Sequence, residues 1–166
     1  MLPALKELTK HDNSNWIFSF WFREECTNII SDMTLADKKV ILKNLIHLSK
    51  IDYQVEKILK VLTEQSPESV INFFCDRIDK EANCEMNDNY EAIPFKFHDL
   101  SESLSKYPNK VVDIVFTRYD GENSSLLDGI ARFLAISFPN FPNNFEQELL
   151  NNIQLEDKKN LELVLE

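Results

Sequence analysis

An all-α fold is predicted for this chain by three observations. Apolar residues recur at helical spacing along nearly all of it, only two glycines occur in 166 residues, and one helix-length segment returns 41 residues later. The length is enough for one domain with a sizeable core and short for two. With 43% hydrophobic and 28% charged residues the composition is that of an ordinary folded protein. So few glycines argue against hairpin-rich β architecture and against any Gly-rich phosphate loop.

The helices follow in order. Aromatic residues crowd "NWIFSFWF" at 15–22, inside a helix expected over roughly 15–31. In "SDMTLAD", Thr34 can cap a helix and Asp37 can answer it three residues on; Ile41, Leu42, Leu45, Ile46 and Leu48 then supply an apolar face. "IDYQVEKILKVLTEQ" carries Val55, Ile58, Leu59 and Leu62 in the i, i+3, i+4, i+7 pattern. Ser66-Pro67-Glu68 starts the next helix with a hydroxyl, a proline whose missing N–H costs nothing there, and an acid at the positive end of the dipole. Its inner face is Val70, Ile71, Phe74, Cys75 and Ile78. Residues 80–93 are expected to form the longest loop. "PFKFHDLSESLSKY" then places Phe97, Leu100, Leu104 and Tyr107 on one helical face. Pro108 opens another helix, with Val111, Val112, Val115, Phe116 and Tyr119 inward. "DGENSS" reads as a turn, because Asp-Gly tolerates the left-handed conformation. Leu127, Ile130, Ala131, Leu134 and Phe138 form the next face, and Phe145, Leu149 and Ile153 mark a final helix.

Eight helices in about four antiparallel pairs result, joined mostly by short loops. Aligned at an offset of 41, residues 67–79 and 108–120 match Pro67 with Pro108, Val70 with Val111, Arg77 with Arg118 and Asp79 with Asp120. A helix pair recurring at about 40 residues is the pattern of HEAT-like α-solenoids. The expected architecture is therefore a HEAT-like solenoid spanning 1–166, with a compact irregular helical bundle as the alternative. The chain ends at "LELVLE" without a polar capping helix, as a segment of a longer protein would.

Charge narrows the partners. Residues 1–60 carry nine basic and eight acidic side chains; residues 61–166 carry nine and twenty. Nucleic-acid affinity is largely counterion release driven by Lys and Arg, so no nucleic acid is expected as a partner. There is no apolar run of about 18 residues and no basic, apolar, small-residue leader, which points to a cytoplasmic chain without membrane attachment. Three cysteines leave at least one unpaired, in keeping with a reducing compartment.

Chemistry-bearing patterns are sparse. His11, His47 and His98 form no His-x-x-x-His pair, and Cys75 and Cys84 are nine apart, so no metal site and no cofactor are expected. His98-Asp99 precedes a helix, where Asp99 suits the dipole. "DRID" at 76–79 and "TRYD" at 117–120 read as solvated helix-end neighbours, as does "REE" at 23–25. The aromatic residues are the stronger candidates. Trp16, Phe20 and Trp21 lie on a helix apolar on nearly every side, which must be buried on both faces or meet a partner. "NYEAIPFKF" at 89–97 is a loop whose Tyr90 and Phe95 must dock on the chain's own groove or on a ligand.

The string "IDYQVEKIL…SPESVINFFCDRI…YEAIPFKFHDL…YPNKVVDIV…GIARFLAISFP", over roughly residues 40–140, resembles the helical-repeat C-terminal region of large bacterial signal-transduction ATPases of the STAND/NACHT type. The resemblance implies a sensor or scaffold module whose nucleotide site lies in a different domain. None of that family's ATP-binding residues has a counterpart here. The expected function is thus non-catalytic, a protein-binding or regulatory scaffold meeting a protein partner or a neighbouring domain of its own chain. The alternative is a small enzyme with an acidic pocket between helices, using Asp99, Glu102 or the Asp76/Arg77 group.

Overall fold

The computed structural model describes residues 2–14, 30–84, 89–119 and 124–138. Among these residues it is all-helical. Helix α1 spans Leu2–Lys10, α2 Leu35–Leu45, α3 Tyr53–Gln65, α4 Pro67–Ala82, α5 Leu100–Leu104, α6 Pro108–Arg118 and α7 Ser124–Ser137. Helix α1 was not expected from the sequence. The helices predicted over 15–31 and around Phe145–Ile153 lie outside the described residues, apart from Ile30, which is buried, and Ser31, both helical.

Local chemistry sets the helix ends. The Thr34 hydroxyl accepts from the Asp37 N–H at 3.3 Å and donates to the Asp37 carboxylate at 2.7 Å, as the spacing predicts. Asp52 caps α3 by accepting from the N–H groups of Gln54 and Val55. Ser66 precedes α4 without capping it; its hydroxyl pairs with that of Ser69 at 2.7 Å. Pro67 instead starts α4 by its fixed φ. The helix predicted from residue 94 begins only at Leu100, so Phe97 is buried from a loop and Tyr107 sits just ahead of α6.

The α4 helix organises the core. It packs against α2, α3, α6 and α7, while α3 also meets α5, α5 meets α7, and α1 meets α2. Val70, Ile71, Phe74, Cys75 and Ile78 are buried as expected, and Phe73 and Arg77 join them. The Phe74 ring lies at the centre: its centroid is 5.2 Å from Phe73, 5.3 Å from Phe97 and 4.9 Å from Phe133, on which it stacks. Burying such a ring contributes about 3 kcal/mol. On α7, Ile130, Leu134 and Phe138 are buried as predicted, with Phe133 added and Leu127 and Ala131 only partly covered. Gly129 lets α7 approach α4 closely, since a Cβ there would fall 2.8 Å from Cγ2 of Ile78. The buried apolar residues from Ile30 to Phe138 form one contiguous core.

Candidate functional site

The segment 89–99, between α4 and α5, is fixed at both ends by buried charges. Arg77, with none of its surface exposed, reaches it from α4. Its Nε donates to the Ala92 carbonyl at 3.0 Å and its Nη2 to the Glu91 carbonyl at 2.5 Å. Its Nη1 donates to the carbonyls of Leu48 at 2.7 Å and of Leu45 and Ile46 at 3.3 Å, closing the C-terminal end of α2. Burial holds the Arg77 guanidinium below its ordinary pKa, with Tyr90, Glu81 and Glu91 opposing.

Other side chains tighten the same clamp. The Tyr90 ring lies against Arg77 and Lys80, 4.6 and 5.0 Å from centroid to cation, and its hydroxyl donates to the Ile46 carbonyl at 2.6 Å. Glu81 accepts from the Ala92 N–H and pairs through its other oxygen with Arg132 of α7. At the far end, Oε1 of Glu56, a residue 3% exposed on α3, accepts from the N–H groups of His98, Asp99 and Leu100 at 2.6, 2.6 and 2.9 Å. Glu56 therefore caps α5, and Asp99, which the sequence favours for that place, makes no side-chain capping bond.

Between the two clamps the loop alternates inward and outward. Ala92, Ile93 and Phe97 enter the core, whereas Phe95 is 95% exposed. Tyr53, half exposed, meets His98 edge-on at 5.6 Å, and Lys57 lies 4.5 Å over its ring. Of the predicted aromatic candidates, Tyr90 is spent on the clamp and Phe95 faces outward; Trp16, Phe20 and Trp21 lie outside the described residues.

Among the described residues, clefts also open elsewhere. One, of about 550 Å³, runs between α2 and α4. Another, of about 520 Å³, lies where the 11–14 turn meets 47–52, with His47 Nε2 3.2 Å from Asp12. Burial, and then Lys80, lower the His47 pKa, against the pull of Asp12.

The residues named for acid–base chemistry are not brought together. Arg77 turns inward to main-chain carbonyls, which corrects the expectation that it is a solvated helix-end group. Asp76 turns outward to Arg118, whose Nη2 donates to it at 2.6 Å and also binds Asp79. The single hydroxyl proton of Tyr119 is shared between the Cys75 carbonyl at 3.0 Å and Asp79 at 2.9 Å. Glu102 is exposed on α5. Cys75 and Cys84 are free thiols. No group of three or more His, Cys, Asp or Glu side chains suited to a metal occurs among the described residues, and no helix among them is long and apolar enough to cross a membrane. Comparison with protein-family models, with curated proteins and with solved structures found no match.

Proposed function

We propose that this chain is a non-catalytic, protein-binding scaffold module whose contact face is built around Phe95. One observation carries the reading: a phenylalanine 95% exposed at the outer side of a loop clamped by Arg77, Tyr90, Glu81 and Glu56. An exposed aromatic ring forgoes about 2–3 kcal/mol of burial. Held rigidly, it binds without the entropic cost of ordering a loop, which is the condition under which aromatic anchors become hot spots.

A HEAT-like stack is the finer reading of the architecture. The contacts of α2 with α4 and α4 with α6, and of α3 with α5 and α5 with α7, support it. The contact between α4 and α7 fits the compact bundle instead. Assignment to a sensor or regulatory segment of a larger bacterial protein rests on the sequence resemblance alone.

The test uses the chain and its Phe95→Ala variant as baits in a lysate of cells that express it, with retained proteins quantified by mass spectrometry. A partner kept by the parent chain and reduced about tenfold or more by the variant is expected, because a central aromatic anchor carries about 2 kcal/mol or more. Equal retention by both baits, with the variant equally stable, would overturn the role of Phe95. An elongated small-angle scattering profile is expected for the stack, and a compact one would assign the bundle.

A further inference from the structure

The cleft between α2 and α4 shares no lining residue with the Phe95 loop, which meets it only at the Ile46 carbonyl that Tyr90 and Arg77 bind. Its α2 wall is one stripe: Leu35, Lys39, Leu42, Lys43 and Ile46 fall at i, i+4, i+7, i+8 and i+11. Its α4 wall is another, through Ser69, Phe73 and Asp76. Three helical turns on the α2 side, about 16 Å, face two on the α4 side, about 10 Å. The floor is apolar, with Leu42 and Phe73 nearly fully covered and Ile46 partly so, and Leu35 stands 52% exposed at the mouth.

The charges at its edges are unequal. Both acids of the α4 wall are already neutralised, Glu68 by Lys110 and Asp76 by Arg118. On the α2 edge Lys39 and Lys43 are exposed and make no ion pair among the described residues. In a chain of net charge −10, this is a place where uncompensated positive charge borders apolar surface.

We infer that this cleft receives an acidic amphipathic α-helix of a partner protein, about three turns long, with Asp or Glu on the flank that meets Lys39 and Lys43. Helical walls present no strand edge, so the occupant's backbone must satisfy itself, as a helix does. Ridges of a third helix settle into the groove between two others, and leucine-sized groups at i, i+3, i+4 and i+7 meet Leu35, Leu42 and Ile46. A phosphate backbone is a poor occupant, because the lining offers it only two cations and an apolar floor.

The probe is a displayed library of stapled helical peptides about 14 residues long, with fixed leucines at helical spacing and randomised flanks, selected on the intact chain. Enriched peptides are expected to be acidic on one flank. The Kd of a labelled winner is expected to weaken about tenfold or more with the double variant Lys39→Glu/Lys43→Glu, and separately with Leu35→Glu. These three side chains are exposed, so circular dichroism is expected to show the variants folded. Phe95→Ala is expected to leave the Kd unchanged, so this result stands or falls apart from the function proposed above. Enrichment of neutral or basic peptides, or winners bound equally by the double variant, would overturn the inference. So would concentration-dependent self-association of the parent chain that the double variant abolishes, since a second copy would then be the occupant.

Discussion

A guanidinium with no exposed surface has given up its hydration and recovers it only from the protein. Arg77 does so through the carbonyls of Leu45, Ile46, Leu48, Glu91 and Ala92. Truncation leaves those acceptors without their donor, and Arg77→Ala is expected to cost about 3–5 kcal/mol. Arg77→Lys is expected to lose most of this, because an ammonium cannot fork to carbonyls on two segments. Arg118, at the matching place in the second segment, forms only part-exposed pairs with Asp76 and Asp79, and Arg118→Ala is expected to cost about 1 kcal/mol or less. Urea unfolding of the three variants measures the difference, and equal losses for Arg77→Ala and Arg118→Ala would contradict it. The alignment of these arginines is visible in the sequence; their opposite surroundings are not. Burial of Arg77 depends on where residues 45–48 and 91–92 arrive in space, and no local pattern encodes that.

Among the elements, α5 depends most on a single distant side chain. It has five residues, Leu100–Leu104, too few to nucleate alone. Its first N–H groups are met by Glu56, more than forty positions earlier in the chain. Glu56→Ala is expected to destabilise by about 2–4 kcal/mol, since three charge-assisted bonds are lost from a buried place. Glu56→Gln, which keeps an acceptor but no charge, is expected to cost roughly half as much. Chemical denaturation gives the totals, and hydrogen exchange is expected to show the amides of residues 98–100 losing protection first. The sequence readily yields helices with caps of their own, as at Thr34 and Asp37. It misplaces the start of α5 because "PFKFHDL" carries apolar spacing compatible with a helix while its N–H groups are paired from α3. In the same segment the sequence places Phe97 inward beside Leu100 and Leu104, as found, but leaves Phe95 to dock on the chain or on a ligand, and only the clamps on either side send it outward.

At the scale of the molecule, the all-α class was legible from the 3.6-residue period and the two glycines, because both express local geometry. A buried thiol and a half-buried phenol add a pH dependence that composition does not carry. Burial pushes the Cys75 thiol from 9.0 up to about 11 and the Tyr90 phenol from 10.0 up to about 12. Both are neutral in the folded chain. Above pH 9 the unfolded chain releases protons that the folded chain keeps, so stability is fully present below that pH and falls as pH rises toward 11 and beyond. Melting temperatures between about pH 8 and pH 11 are expected to decline, with a smaller decline for Cys75→Ala, which removes the more deeply buried of the two groups. A flat profile would contradict the buried thiol. The placement of Arg77 has a last consequence, for synthesis. A chain emerging N-terminus first exposes α2 with its final carbonyls bare until α4 has left the ribosome, and leaves the guanidinium itself half-served until residues 91 and 92 follow. The first half of the protein is therefore committed to its native form only when the second half has begun to arrive.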